Sequence, residues 1–353
     1  MPWSAPSRNS GDSRASRRRP STWCTHCCVG ALRPGTETRP HVSLRRPPNG
    51  AIIVAARSAS RGRAMTYRRA IVAVDVVSDA ADTVIARATQ VCGDAEVTAV
   101  HVVDEGYLYF SDEVAIPGVA DLHDKVLQES AQRLEAVCAL AGIEHRTLLE
   151  GHAANEIHRY AEEQGADLVV MGAHGRHGWR LLLGSTANAV LHGTVCDVLC
   201  VHIPEEVEPF REVLVAVDST VEAAAVVERA VQVAARTNAR VSLVSVIRPL
   251  EHAYAGVDIA AYGDSAVRFA HEAEQEVEQQ VNRLADSFDV RGERLVRRGH
   301  PAEEIHAAAD ELSADLVVVG THGRHGFALL LGSTANAVLH GAKSDILAVR
   351  VGR

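Results

Sequence analysis

Residues 172–201 and 320–349 are one segment written twice: GAHGRHGWRLLLGSTANAVLHGTVCDVLCV and GTHGRHGFALLLGSTANAVLHGAKSDILAV agree at 22 of 30 positions. A match of this kind at a long period means two copies of one unit, each needing its own buried face. The repetition continues upstream. Residues 151–170 align with 299–318 at the same offset of 148, and 70–75 (AIVAVD) align with 213–218 (VLVAVD) at an offset of 143. The difference is a net five-residue insertion in the second copy, between the first strand and the third helix, in loops that tolerate it. A chain of 353 residues has room for both copies, since an ordinary domain takes about 100–200.

Each copy alternates strand and helix. The first reads as strand 69–74, helix 78–91, strand 96–103, helix 121–141, strand 145–150, helix 153–164, strand 167–171, a helix from Ser185, and strand 197–203. The second repeats this with strands 212–217, 240–246, 293–298, 315–319 and 345–351, helices 221–236, 264–286 and 301–312, and a helix from Ser333. Near-continuous Val, Ile and Leu in strands separated by helices indicates parallel sheet covered on both faces. The expected architecture is therefore α/β, two tandem doubly wound sheets of five strands, with domains at 66–203 and 211–353 and a linker at 204–210.

The remaining residues, 1–64, are rich in Arg, Ser and Pro without periodicity and read as a disordered tail, with Met65 a candidate for the true start. The tail also distorts the charge. It carries 12 Arg against two acids, +10, so a whole-chain charge of −9 leaves −19 on residues 65–353. An acidic body repels phosphate backbones and anionic lipid, which argues against nucleic acid or a membrane surface as partner. No apolar run approaches the ~20 residues of a membrane span, and the N-terminus lacks the apolar core of a secretory signal. The expected location is cytoplasmic. Cys92, Cys138, Cys196 and Cys200, scattered through apolar stretches, fit reduced core thiols there. The tail's Cys24, His26, Cys27 and Cys28 lack a second pair at zinc-finger spacing.

In doubly wound sheets, ligands sit outside the carboxyl ends of the strands where the winding reverses. Three features of each copy should meet there. Asp75 or Asp218 follows the first strand, where a carboxylate can take ribose hydroxyls or merely form a turn. Gly172 and Gly175, or Gly320 and Gly323, follow the fourth strand and let backbone N–H groups approach an anion. Gly184-Ser185-Thr186, or Gly332-Ser333-Thr334, opens the last helix, where free N–H groups and hydroxyls suit phosphate or simply cap the helix. His174, His177, His322 and His325 form HxxH pairs, but on a glycine loop rather than at helical spacing, so no metal site is assigned. The copies differ where the second strand ends. Asp104 stands against Arg248, which predicts that the second copy holds the more anionic ligand better.

AIVAVD, ADLVVMGAHGRHG and the LLLGS helix start resemble the universal stress protein family, over essentially residues 66–353. The resemblance implies an adenine nucleotide alpha hydrolase-like fold with strand order 3-2-1-4-5. It also implies pairing of two domains through their last strands, here within one chain, with a homodimer of whole chains as a further level. In ATP-binding members a G-x2-G-x9-G-[ST] pattern cradles phosphates. Carried over, it implies Asp75, Gly172, Gly175, Gly184 and Ser185 in the first copy and Asp218, Gly320, Gly323, Gly332 and Ser333 in the second, with the backbones of Val102 and Val246 facing adenine. Here eight residues, not nine, separate Gly175 from Gly184 and Gly323 from Gly332; one residue fewer turns the helix start by ~100°.

The function that follows is a stress-response module binding ATP or a related nucleotide, with or without Mg2+, and turning over little or none of it. No Lys follows the glycine loop to stabilise a transferring phosphoryl group. The alternatives are a slow ATP hydrolase and a nucleotide-free docking protein, the latter suggested by the shortened loop.

Overall fold

Unbroken runs of Val, Ile and Leu become strands buried on both faces. The computed structural model describes residues 67–78, 80–104, 119–173, 183–202, 207–248, 263–321 and 331–351. The first half contains β1 (Arg69–Ala73), α1 (Ala81–Cys92), β2 (Glu96–Val103), α2 (Val119–Ala141), β3 (His145–Glu150), α3 (Ala153–Gln164), β4 (Leu168–Gly172), α4 (Ser185–Leu191) and β5 (Asp197–Val201). The second contains β6 (Glu212–Ala216), α5 (Ala223–Thr237), β7 (Arg240–Ile247), α6 (Gly263–Ser287), β8 (Arg294–Arg298), α7 (Pro301–Leu312), β9 (Leu316–Gly320), α8 (Ser333–Leu339) and β10 (Asp345–Val349).

The strand order is β3-β2-β1-β4-β5-β10-β9-β6-β7-β8. Both halves thus show the expected order 3-2-1-4-5 with parallel neighbours, and β5 meets β10 antiparallel in one ten-stranded sheet. Because the two half-sheets run in opposite directions, their carboxyl edges lie on opposite sides of the sheet.

The two-residue period of a strand sorts its side chains into two cores. Leu168 and Val170 of β4 join the layer holding α1, α2, α5 and α6, whereas Val169 and Met171 join the layer holding α3, α4, α7 and α8. On β10 Leu347 and Val349 face the first layer and Ile346 and Ala348 the second. Helix α1 begins at Ala81, three residues later than the sequence pattern suggests. The intervening chain is a turn, in which the Ser78 amide donates to the Asp75 carbonyl at 3.0 Å and the Ala80 amide donates to Ser78 Oγ at 3.2 Å.

Where the halves meet, charge is buried in a reciprocal arrangement. Arg87 of α1 pairs with Asp345 of β10 at 2.7 Å, and Arg229 of α5 pairs with Asp197 of β5 at 2.8 Å. Each guanidinium also stacks 4.4 Å from the centre of an aromatic ring, Arg87 on Phe210 and Arg229 on Tyr67, a cation–π contact that offsets part of its desolvation. The aspartates reach across as well: Asp345 Oδ1 accepts the His202 amide and Asp197 Oδ1 accepts the Arg350 amide, both at 2.8 Å. One difference breaks the symmetry. Tyr67 donates its hydroxyl to Asp197 at 3.0 Å, and Phe210 has no hydroxyl to offer Asp345. The Arg87–Asp345 contact is moreover too poorly aligned to be a hydrogen bond between its closest atoms. Burial pushes the Asp345 carboxyl up to about 7, against the opposing pull of Arg87 and the His202 amide.

Arg236 of the second half finishes α1 of the first. Its Nε donates to the Gln90 carbonyl at 3.1 Å, and its guanidinium lies against Gly93, which turns the chain at φ +58°. The αL position ending α3 is Gly165, but the equivalent position ending α7 is Ser313 at φ 51°. A side chain there is strained, so Ser313→Gly should raise unfolding stability by about 0.5–1 kcal/mol, less the added freedom of the unfolded chain; urea denaturation would measure it. The Asp345 shift gives a second expectation. The native carboxyl keeps a proton that the unfolded one, with a pKa near ~4, releases. Stability from this group therefore falls as pH rises from about 4 through about 7 and is absent above. Urea midpoints should drop between about pH 4 and about pH 7, and Asp345→Asn should flatten that slope.

Candidate functional site

Register places the candidate residues before any side chain is considered. Ala73, the last residue of β1, lies opposite Val100 of β2 and Met171 of β4. Two residues on, the same register sets Asp75 level with Val102 on one side and Ala173 on the other. In the second half Ala216 lies opposite Val244 and Val319, so Asp218 is level with Val246 and Thr321. These rows fall at the gap between β1 and β4, or β6 and β9, where the winding reverses.

The backbone around each row is turned toward it. Val100 O accepts the Val74 amide at 2.9 Å and Val244 O accepts the Val217 amide at 2.9 Å. Since alternate residues point their N–H and C=O the same way, Val102 and Val246 direct theirs toward the extension of the first strand. Beneath the first row His101 is buried, its Nδ1 2.9 Å from the Val74 carbonyl. Ser245 occupies the equivalent position in the second half and is also buried.

On the other flank, the Gly184 amide donates to the Ala173 carbonyl and the Gly332 amide to the Thr321 carbonyl, each at 2.7 Å. This bond closes the glycine loop at its base. It holds the start of α4 or α8 against the residue level with Asp75 or Asp218. Gly172 and Gly320 are the last residues of their strands. Gly175 and Gly323, with His174, Arg176, His177, His322, Arg324 and His325, lie outside the described residues.

Two plain structural roles can be weighed against this arrangement. The serines do not cap their helices. Gly184 and Gly332 occupy the N-cap positions with extended backbone (ψ 151° and 148°), and Ser185 and Ser333 come one residue later and are exposed. Thr186 and Thr334 follow, half-buried. The aspartates, in contrast, do form turns. Asp75 Oδ1 accepts the Val77 amide at 3.1 Å, and Asp218 Oδ1 accepts the Thr220 amide at 3.0 Å and its hydroxyl at 2.5 Å. These bonds orient each carboxylate at the edge of the sheet.

Sequence reading missed the residues that join the halves: Tyr67, Arg87, Asp197, Phe210, Arg229 and Asp345. A signal was present. Arg87 and Arg229 sit at matching places in the helical stretches ARATQV and ERAVQV, on the face that carries Ala88 and Val91 or Ala230 and Val233, where a cation needs a buried partner. His101 left no comparable trace, because its counterpart is a serine.

A family model described as the universal stress protein family matches residues 66–202 and 209–350. Universal stress protein A homolog 2 of Coxiella burnetii is 35% identical over 141 residues, which are 39% of this chain and 96% of that protein. Universal stress protein Rv2005c of Mycobacterium tuberculosis is 34% identical over 196 residues, 52% of this chain and 62% of that protein. The crystal structure of a universal stress protein from Archaeoglobus fulgidus gives a TM-score of 0.58 at 19% identity, covering 82% of this chain and 97% of that one, a likeness of fold.

If Ser185 and Ser333 are not caps, removing their hydroxyls should leave the fold intact. Ser185→Ala and Ser333→Ala should each change urea stability by less than about 0.5 kcal/mol. Asp218→Ala, which breaks a turn, should cost roughly 1 kcal/mol.

Proposed function

Because the chain belongs to the universal stress protein family, matched twice along its length, we propose that its two clefts bind ATP or a related adenine nucleotide as a regulatory ligand, with little or no turnover. The observation that supports this reading is the row itself. A carboxylate, an edge-directed strand backbone and a helix start tethered at 2.7 Å come to one level of the sheet in each half. The donor set fits a nucleotide. Asp75 or Asp218 suits ribose hydroxyls, and the helix-start amides with the hydroxyls of Ser185 and Thr186, or Ser333 and Thr334, suit phosphate oxygens. Val102 and Val246 offer backbone groups to an adenine edge, and any Mg2+ would arrive on the phosphates. Bound there, ATP supplies a signal of nucleotide supply rather than a group to transfer.

In this reading the β5–β10 pairing does within one chain what two chains would otherwise do, and whole chains are free to pair further. Among the described residues no helix is long and apolar enough to cross a membrane, and we place the protein in the cytoplasm. A second reading, a nucleotide-free docking protein, is favoured by the eight-residue spacing before Gly184 and Gly332.

Calorimetric titration of the full chain with ATP, with and without Mg2+, tests this. Binding should be micromolar, and Asp75→Ala with Asp218→Ala together should weaken it by at least about tenfold, the worth of a charged hydrogen bond at each site. Absence of heat at millimolar ATP sinks the nucleotide reading in favour of docking. Steady phosphate release that the same substitutions abolish would make the protein a slow hydrolase.

A further inference from the structure

The first candidate row is braced from below by a ring that the second row lacks. The ladder between β1 and β2 ends at the pair Ala73 and Val100. One residue further on, the Val74 amide still donates to the Val100 carbonyl at 2.9 Å. The Val74 carbonyl takes a different partner: His101 Nδ1 lies 2.9 Å from it. A carbonyl oxygen can only accept, so Nδ1 of this ring carries a proton.

Had the ladder run on, that carbonyl would have been met by the amide of Val102, two residues past Val100, as parallel strands pair. The imidazole takes its place, and the Val102 amide stays turned toward the cleft. The Val74 carbonyl also belongs to the peptide unit that carries Asp75, and a planar peptide fixes where the next residue starts. Beyond it, the Asp75 carbonyl accepts the Ser78 amide at 3.0 Å and Asp75 Oδ1 accepts the Val77 amide at 3.1 Å. Asp75 is thus held on both sides. The ring itself stays out of the row. His101 is only 6% exposed, and by the two-residue period of a strand it shares the face of Ala99, in the layer of α1 and α2.

A plain role exists for such a ring, since buried carbonyls need donors. The second half argues that the fold does not require it. There the Val217 amide donates to the Val244 carbonyl at 2.9 Å, the same short extension of the ladder, and Ser245 stands buried where the ring would be. A hydroxyl one bond from Cβ reaches less far than a ring nitrogen two bonds out. The same sheet edge is therefore built with and without the imidazole, and what differs is how the residues level with the row are held.

Resting on the nucleotide reading above, we infer that His101 is a positioning residue of the first cleft: its Nδ1–H holds the Val74 carbonyl, which keeps the Val102 amide available to an adenine edge and fixes Asp75 at the ribose. The phosphate end, at the start of α4, does not depend on it.

The full chain carrying Asp218→Ala isolates the first cleft, and His101→Ser in that chain copies the second half. Calorimetric titration should show ATP and AMP weakened alike, by about three- to tenfold, the worth of one neutral hydrogen bond. His101→Asn, whose side-chain nitrogen stands where Nδ1 stood, should restore most of the affinity, whereas His101→Gln, which reaches the place of Nε2, should not. That pair of variants decides the matter if His101→Ser does not fold. Nitrogen NMR of the ring, assigned by its loss in His101→Asn, should find the proton on Nδ1. A ring that only stabilises the fold would lower the urea midpoint and leave nucleotide affinity unchanged, and that result overturns the inference. So does a proton on Nε2 alone, or a loss felt by ATP and not by AMP. In each of those cases ATP still binds and the nucleotide reading stands, whereas ATP binding at neither cleft of the unmodified chain overturns both.

Discussion

The join between the halves depends on two carboxylates buried at the first residues of β5 and β10. Asp197 and Asp345 each begin a strand and accept an amide just past the end of the opposing one, Arg350 and His202 respectively. Together they clasp both ends of the β5–β10 ladder. A slip by one residue would turn every inward side chain to the other face and strand two acids in an apolar layer. Arg87 and Arg229 then supply the charge that makes burial tolerable, each held over an aromatic ring of the linker region or the entry to β1. Removing one member of such a pair costs about 3–5 kcal/mol, because the other is left uncompensated, although replacing both by well-packed apolar residues is often neutral. The pairs therefore specify how the halves meet more than how strongly they hold.

Much of this molecule could be read from its sequence because repetition and strand chemistry are local. Val and Leu runs marked the buried strands, and the helices 153–164 and 301–312 were delimited by polar turns and, in the second, by Pro301 at the first helical position. The start of α1 was misplaced because Ser78 looks like a cap and instead closes a turn on Asp75. The candidate cleft was legible in part. The aspartates and glycines announce turns, but their convergence depends on strand order and register, which no single segment carries. The joint was the least legible of all. Arg87 and Asp345 are 258 positions apart, and nothing near either residue names the other.

Antiparallel joining of two parallel half-sheets also fixes the relation of the clefts. Each opens at the carboxyl edge of its own strands, and those edges are on opposite sides of the ten-stranded sheet. The candidate rows are separated by β4, β5, β10 and β9, four of the most deeply buried strands, and the halves also touch through α1 and α5, where Arg236 donates to the Gln90 carbonyl. A block of such strands transmits strain stiffly and rearranges little.

The unequal partners Tyr67 and Phe210 show what covalent fusion permits. In an assembly of two identical chains, every change at a twofold joint occurs twice, so a hydroxyl gained beside one aspartate is gained beside both. In a single chain each side mutates alone. One acid can be given a third hydrogen-bond donor while its twin is left more easily protonated, and the molecule can carry two differently tuned halves without needing a second gene to match them.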